Sequence, residues 1–599
     1  MKILFIHADF IEYEVKKKAI EDAEELKVKK DGMEDVLVAF ISVEKSDEWH
    51  DKAVQEIKNV ASMINVKNIM LYPYAHLSSE LASPEKAVEM LKAIEEELKD
   101  EYNVKRSPFG WYKAFKISCK GHPLAELSRH IECKREESKE KVESEWYILT
   151  PDGDLIEAEK FDFGEYEELK KFYEYEAFGS READREPAHI KLMQEHQLVE
   201  YEPGSDYGNM RWYPKGYLIK RLLEEKVEEL CLKAGAMQVE TPLMYDVSHP
   251  SLKKYVSKFP ARQYRIEGDK GREFFLRFAA CFGQYLMAKD MTISYKHLPL
   301  RLFEIAKSFR REQHGELSGI KRLRSFTMPD MHTICKDEKQ ALDEFRKQFL
   351  LSKKWAELLE IEGEIAMRFV RDFFERNREF AVELVKEWGK PVLVEIWDKR
   401  YFYFVMKFEI NVNDTVGKSF ALSTVQIDVE NPEAFGITYI DENGKEKYPY
   451  LLHASISGGV DRCVSALLEK EAMKMREGKK ASFPFWLSPT QVRIIPVSEK
   501  LLNECIEMAG KINARVDIDD RDESVSKKIR DAEKEWVPII IVYGERERGG
   551  TFKPRWRFEC NEEEVTIEKL NKIIMEKMEG FPSRPLPLPM LLSKRAKFR

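Results

Sequence analysis

Phe309-Arg310-Arg311-Glu312, then a loop, then Arg322-Leu323-Arg324-Ser325-Phe326-Thr327 is the stretch on which the fold reading turns. The two halves read as the strands of a hairpin. Strand alternation aims Arg310 and Glu312 from one strand, and Arg322, Arg324 and Phe326 from the other, at a common face. A guanidinium grips phosphate bidentately, an aromatic face stacks on a purine, and a nearby acid reports an exocyclic amine. The residues therefore predict a nucleotide-binding hairpin. Charged hairpins are also common as plain solvated surface, so the neighbouring sequence has to decide.

Upstream, Leu218, Leu222, Leu223, Val227, Leu230 and Cys231 recur at helical spacing and run into Val239-Glu240-Thr241-Pro242, a strand closed by proline. Downstream, Gly458-Gly459-Val460-Asp461-Arg462 leads into a helix over 463–470. Its glycines permit close approach of backbone and ligand, and the helix N-terminus attracts negative charge beside Arg462. Between these lie strand-like runs near 272–278, 301–312, 323–335, 392–410 and 419–429, with helices near 282–290 and 339–360. Strand runs with inserted helices predict an α+β body on a largely antiparallel sheet.

The flanks differ. Residues 1–145 alternate short β-rich runs (2–8, 36–42, 68–74, 112–119) with helical segments (52–63, 84–101), which predicts a layered α/β unit. Residues 146–205 are highly charged and are expected as a linker with helical pieces. After residue 489, β and α runs alternate again, which predicts a third unit with a mainly parallel sheet. At 599 residues the chain is too long for one hydrophobic core. The expected fold is multidomain α/β and α+β, with boundaries at 1–145, 146–205, 206–489 and 490–599.

Composition narrows the function. Charged residues reach 35% and net charge is −9. The excess of Lys and Glu fits a protein from a hot environment, and RNA contact must come from local basic patches such as the last residues. Eight cysteines are scattered singly with no C-x-x-C pair, so neither a zinc ribbon nor a disulfide framework is indicated, and a reducing cytoplasm is expected. No apolar run approaches a membrane span.

The helix-strand-proline unit, the charged hairpin and the glycine-arginine segment, in that order, resemble the three motifs of class II aminoacyl-tRNA synthetases. The resemblance implies a homodimer built around the first motif. It implies that Arg310 holds the α-phosphate of ATP, Arg462 the γ-phosphate, that Glu312 recognises adenine and Phe326 stacks it, and that Arg324 and Gln426 line the ATP site with Mg2+ bridging the phosphates. Cys281, His332 and His453 mean little by spacing, since isolated Cys and His in apolar stretches are usually packed core. They match, however, the three zinc ligands of threonyl-tRNA synthetases. The resemblance then implies Zn2+ bound by all three, L-threonine on the metal, and Asp330 on its amino group. A polar contact rejects valine well, whereas serine lacks only a methyl and calls for a second check.

Residues 1–145 resemble the editing domain of archaeal threonyl-tRNA synthetases, itself similar to D-aminoacyl-tRNA deacylases. The runs that carry this are 6–15, 74–80, Pro108-Phe109-Gly110-Trp111-Tyr112-Lys113 and 118–127. It implies an editing pocket lined by Lys18 (with Lys16 and Lys17 adjacent), His76, Tyr112, Lys113 and Glu126, with Lys113 the one expected to act in catalysis. Residues 490–599 resemble the anticodon-binding domain of several class II synthetases, with Asp522, Glu547, Arg555 and Arg557 where bases are read. The expected activity is ligation of threonine to tRNA(Thr) with hydrolysis of seryl-tRNA(Thr). A prolyl or histidyl enzyme is opposed by the Cys-His-His set, and a non-catalytic relative by the intact Arg310, Glu312 and Arg462.

Overall fold

The computed structural model describes residues 1–598 apart from 27, 79, 123, 132–143, 180–185, 258–261 and 401. Two compact units emerge, Met1–Lys141 and Val142–Arg599. Among the described residues no helix is long and apolar enough to cross a membrane.

The first unit runs β1 (Lys2–Lys18), β2 (Lys30–Ser42), α1 (Asp51–Met63), β3 (Asn68–Pro73), α2 (Pro84–Leu98), β4 (Asn103–Arg106), β5 (Trp111–Cys119) and β6 (Glu126–His130). Its sheet has the order β4-β3-β2-β1-β5, with β6 also on β1. β1 is long because one edge serves two partners: Lys2–Ile6 pair with β6, and Ala8–Lys18 pair with β5 past a bulge. Alternation then sorts the side chains. Ile3 and Phe5 join Ile57 and Leu91 of α1 and α2 in one core, while Ile11, Tyr13 and Val15 join Val38, Phe40, Met70 and Tyr72 on the other face. α2 starts where its sequence signals it, with Pro84 in the first turn and Ser83 accepting from the Lys86 N–H at 3.4 Å.

The second unit opens with β7 (Ser144–Leu149), β8 (Leu155–Glu157), α3 (Glu167–Phe178), α4 (Ala188–Glu195) and α5 (Pro214–Lys233). Next come β9 (Met237–Gln238), α6 (Cys281–Lys289), β10 (Leu300–Phe309), β11 (Ser325–Cys335), α7 (Glu338–Leu358), β12 (Glu364–Val370) and β13 (Val392–Trp397). The body closes with β14 (Phe404–Asn413), β15 (Ser419–Asp428), β16 (Tyr450–Ser455) and α8 (Val460–Arg476). These strands form one ten-stranded sheet, β9-β10-β11-β16-β15-β14-β12-β13-β7-β8. Only β9–β10 and β12–β13 pair in parallel, as the antiparallel expectation requires.

Two readings of the sequence change here. The stretch expected as a linker is built into the body: β7 and β8 extend the main sheet, and α3 and α4 bury Leu169, Phe172, Ile190 and Met193. Its apolar residues are outnumbered by the charges on the solvent side, so composition alone hid the amphipathic pattern. The sheet also begins at Ser144, before the expected boundary. β12 and β16 were not foreseen. Glu-Ile-Ala-Met-Arg-Phe-Val is a nearly continuous run buried on both faces, which carries no alternation to read.

Residues 490–599 form β17 (Val492–Pro496), α9 (Leu502–Ala509), β18 (Val516–Ile518), α10 (Val525–Lys534), β19 (Ile539–Tyr543), β20 (Arg555–Trp556) and α11 (Ile567–Met578). The sheet order is β18-β17-β19-β20, and only the last pair is antiparallel. This layer is fastened to α5. Lys215 donates to Glu535 at 2.9 Å, and Glu535 also receives the fully buried Arg493, which is paired with Asp517. Trp486 and Phe581 stack at 4.9 Å.

Candidate active site

Register across the central strands builds the floor of the site. Met328, Asp330 and His332 are alternate residues of β11 and share a face. β16 lies between β11 and β15, so His332 stands opposite His453 and His453 opposite Gln426. Residues directly across an antiparallel pair have Cβ atoms about 4.5–5.5 Å apart. Cys281, the first residue of α6, approaches the same spot. His453 Nδ1 lies 3.3 Å from Cys281 Sγ and 2.7 Å from His332 Nε2. One ligand atom from each residue fits within 4.8 Å of the others.

The surroundings prepare these groups for a cation. Gln284, one helical turn past Cys281, has its Oε1 2.9 Å from His332 Nδ1. That acceptor fixes the N–H on Nδ1 and leaves the Nε2 lone pair facing the cluster. Burial pushes His332 well below the usual imidazole range. Burial, then Lys407 and Arg310, push His453 down to about 4. Both rings are therefore neutral, the coordinating form. Burial holds the Cys281 thiol well above its ordinary value, a preference that a bound divalent cation reverses. Two imidazoles and a thiol fit a borderline-soft divalent metal and leave coordination positions for substrate.

Cys281 and His453 open into a cavity of about 1080 Å3, also lined by Arg310, Glu312, Asp330, Gln426 and Arg462. Asp330 is 1% exposed, and its Oδ1 has no hydrogen-bond partner among the described residues. Burial outweighs Arg310 and pushes the Asp330 carboxyl up to about 7. Such a group is poised to take an ammonium. Arg310 donates from Nε to the Phe278 carbonyl at 3.1 Å and covers one face of Phe326 at 5.0 Å. Arg462 donates to the carbonyls of Lys321 at 2.9 Å and Ala421 at 3.1 Å. Burial, then Arg310 and Arg322, depress Arg462 to about 10. Cations crowded this closely favour a polyanion.

The charged hairpin departs from its reading. β10 stops at Phe309 and β11 starts at Ser325, so Arg310, Glu312, Arg322 and Arg324 belong to the connection, not to strands. The Glu312 N–H turns back onto the Arg310 carbonyl at 2.8 Å, which breaks the alternation. Glu312 does reach the cavity, but its carboxylate is held by Arg262 and by Arg322 at 2.9 Å. Phe326 lies in a small recess beside Arg310 and Arg462. Arg324 stands behind the wall, donating to the Glu312 carbonyl at 2.7 Å and to Asp206 at 3.0 Å. Gln284, Arg262 and the fixing role of Lys321 were not read from the sequence. Only Gln284 carried a signal, its spacing of three from Cys281.

The Archaea-specific editing domain of threonyl-tRNA synthetase matches residues 1–131, the class II synthetase core domain (G, H, P, S and T) residues 264–471, and the anticodon-binding domain residues 491–577. The threonine–tRNA ligase of Pyrococcus horikoshii is 58% identical, covering 100% of both chains. This chain belongs to the threonine–tRNA ligase family. The ligases of Pyrococcus furiosus and Methanosarcina acetivorans are 56% and 52% identical, again over 100% of each chain. In fold, the chain is similar to the RNA-binding domain of threonyl-tRNA synthetase from Cryptosporidium parvum (TM-score 0.57, 22% identity, 66% of this chain and 99% of that one). It is also similar to prolyl-tRNA synthetase from Giardia lamblia (TM-score 0.53, 19% identity, 65% and 78%).

In the editing domain of this threonine–tRNA ligase family member, Lys113 stands opposite Val15 on the face that carries Tyr13 and Tyr72. Its ammonium sits 4.6 Å over the Tyr72 ring and donates to the Pro108 carbonyl at 2.6 Å. Phe40, Tyr72, Tyr74 and Phe115 form an aromatic cluster, and His76 meets Tyr74 at 5.3 Å. Of the three lysines, Lys18 lies over Trp111, which shares a face with Lys113, whereas Lys17 covers Tyr112 and Lys16 pairs with Glu14. Tyr112 is 56% exposed and, as the neighbour of Lys113 in β5, points to the opposite face. Glu126 stands opposite Ile6, which packs on the Lys113 face, and receives the Cys119 thiol at 3.5 Å.

In the anticodon-binding domain, Asp522 and Arg555 are exposed and Glu547 accepts from the Gly544 N–H at 2.8 Å. Arg557 differs. Its guanidinium donates to the carbonyls of Ala481 at 2.5 Å and Glu533 at 2.8 Å, so it braces the junction with the catalytic body.

Proposed function

We propose that this chain joins L-threonine to tRNA(Thr) through a threonyl-adenylate and clears seryl-tRNA(Thr) with its N-terminal unit. The observation that carries the reading is the convergence of Cys281, His332 and His453 beside a cavity lined by Arg310 and Arg462. On this reading residues 1–145 edit, 206–489 catalyse, 146–205 buttress the catalytic sheet, and 490–599 read the anticodon. Cys281, His332 and His453 hold one Zn2+, which when bound supplies a Lewis acid that ligates the threonine amine and hydroxyl and so excludes valine. Asp330 receives the amino group. Arg310 holds the α-phosphate and Arg462 the γ-phosphate, with Gln426 beside them; Glu312 and Phe326 take adenine once Arg262 and Arg310 give way. Mg2+ accompanies ATP. Nothing covalent is asked of the protein: the threonine carboxylate attacks the α-phosphorus, pyrophosphate leaves, and the tRNA ribose hydroxyl then attacks the adenylate.

Exposed Met237, Leu243 and Met244 around the first motif support a homodimer, and the free thiols of the described cysteines support a cytoplasmic setting. Asp522, Glu547 and Arg555 are proposed to contact anticodon bases. The test of the whole reading is charging of tRNA(Thr) with threonine and serine by the full chain and by Lys113→Ala. The variant is expected to accumulate seryl-tRNA while threonylation continues. Serine rejection unchanged in that variant, or proline activated in place of threonine, would overturn it.

Burial, then Arg106, lower the Lys113 ammonium to about 8. Deacylation that uses its charged form is thus expected to fall as pH rises through 8, and Lys113→Arg to shift that fall upward. A pH profile of seryl-tRNA hydrolysis checks this. Gln284→Ala frees His332 Nδ1 and is expected to weaken metal binding about 10–100-fold, read by competition with a chelator.

A further inference from the structure

We propose that His189 is a positioning residue for adenylate formation, acting on Arg462 through the turn at Gly319. The inference rests on the reading of Arg462 as a phosphate ligand. His189 comes from α4, inside the segment whose composition reads as a linker, and belongs to none of the three motifs. It is fully buried, as is its partner Glu469. Both its Nδ1 and its backbone N–H donate to Glu469 Oε1, at 2.6 and 2.8 Å, while the Thr415 N–H donates to Oε2 at 2.8 Å. Glu469 lies on α8, the helix that carries Arg462 near its start. One buried carboxylate therefore ties α4 and the loop at Thr415 to that helix. Three donors satisfy it, which is what a buried charge requires.

The far edge of the imidazole meets the connection between β10 and β11. A Cβ added at Gly319 would lie 2.4 Å from His189 Nε2 and 2.8 Å from Ile190 Cγ1. Gly319 has φ +47° and sits in a turn closed by the Lys321 N–H on the Ser318 carbonyl at 3.0 Å. The turn thus rests directly on the ring. Two residues later, the Lys321 carbonyl accepts from Arg462 Nε. The Lys321 ammonium in turn pairs with Asp414 at 2.6 Å, beside the Thr415 that Glu469 holds. Two routes therefore lead from the Glu469–His189 pair to Lys321, whose carbonyl is one of the two, with that of Ala421, that aim the Arg462 guanidinium. A ring with a donor on one edge and a flat support on the other performs both tasks at once. Displacements of about 1 Å in such a group cost on the order of 100-fold in rate.

Threonine-dependent ATP–pyrophosphate exchange by the full chain tests this, with separate KM values for ATP and threonine, metal content and unfolding temperature. His189→Asn keeps a donor for Glu469 but removes the support beneath Gly319; Gly319→Ala wedges a methyl between the same turn and the imidazole and so pushes the turn off its seat. Both are expected to raise KM for ATP about ten-fold with KM for threonine and bound metal unchanged. His189→Phe keeps the support and loses the donor, so it is expected to be the less stable variant yet the closer to wild type in KM for ATP. A purely structural role predicts the reverse order. Arg462→Lys is the reference. If it raises KM for ATP and His189→Asn and Gly319→Ala do not, the inference about His189 fails alone. If Arg462→Lys itself leaves KM for ATP unchanged, the phosphate reading fails and the inference with it. Parallel loss of threonine affinity and metal in the His189 and Gly319 variants also overturns it.

Discussion

Cys281→Ala is expected to abolish threonine activation in a protein that still folds and still binds ATP. Cys281 supplies the one soft donor of the cluster, and its Sγ lies 3.3 Å from His453 Nδ1. Without it two neutral imidazoles remain, too few to retain the metal in competition with water or a chelator. Threonine then loses the ligand for both its amine and its hydroxyl, and Asp330 alone cannot orient the carboxylate for attack. A loss on the order of 1000-fold or more in kcat/KM for threonine is expected, equivalent to about 4 kcal/mol of transition-state stabilisation. Serine activation should fall in parallel, because serine presents the same two groups. ATP binding should survive, since Arg310 and Arg462 are held by backbone carbonyls and Glu312 by Arg322, all outside the cluster. Metal stoichiometry, pyrophosphate exchange with both amino acids, and ATP binding by calorimetry give the answer together. Undiminished threonine activation by the metal-free variant would refute the assignment.

Arg310→Ala should be the next most damaging change. Charge builds on the α-phosphate as pyrophosphate departs, and a fixed donor aimed there contributes about 100–1000-fold to the rate. Arg310 is anchored at its Nε by the Phe278 carbonyl at 3.1 Å, a contact that leaves its terminal nitrogens to the phosphate when the guanidinium leaves the Phe326 ring. Its removal should lower kcat of adenylate formation by that factor and change threonine affinity little. The contrast with Arg462 is informative. Arg462→Ala should act mainly on KM for ATP, because the γ-phosphate leaves with pyrophosphate and bears less of the developing charge. Arg310→Ala should also relieve Arg462, which burial and the neighbouring guanidinium together depress. Single-turnover adenylate formation separates the two effects. Equal losses in kcat and KM for both variants would contradict the assigned division of labour.

The motifs were legible because each is local. Helical spacing from Leu218 to Cys231, the glycines before Asp461 and Arg462, and the proline closing Val239-Glu240-Thr241-Pro242 are short-range patterns. Local physics was also enough to place α2, α5 and β19 close to their observed ends, whereas α8 starts three residues before and ends six residues after the expected 463–470. It failed where a segment's pattern is diluted or continuous. The helical pieces expected in 146–205 are present as α3 and α4, but the charges masked their buried faces and the strands β7 and β8, and β12 showed no alternation because both its faces are buried. The alternation read into Arg310–Glu312 failed for a different reason: a tight turn at Glu312 ends the strand one residue before the pattern begins.

By itself the sequence determined which residue types were present, their local periodicity, and through resemblance the family to which the chain belongs. It did not determine which of them meet. His332 and His453 face each other only because β16 inserts between β11 and β15 in one register; a slip of one residue would turn every side chain to the other face. Register of that kind is set by packing the whole sheet against its helices, so the convergence of Cys281, His332 and His453, the crowding of the guanidiniums and the seat of Gly319 on His189 were decided by tertiary structure alone.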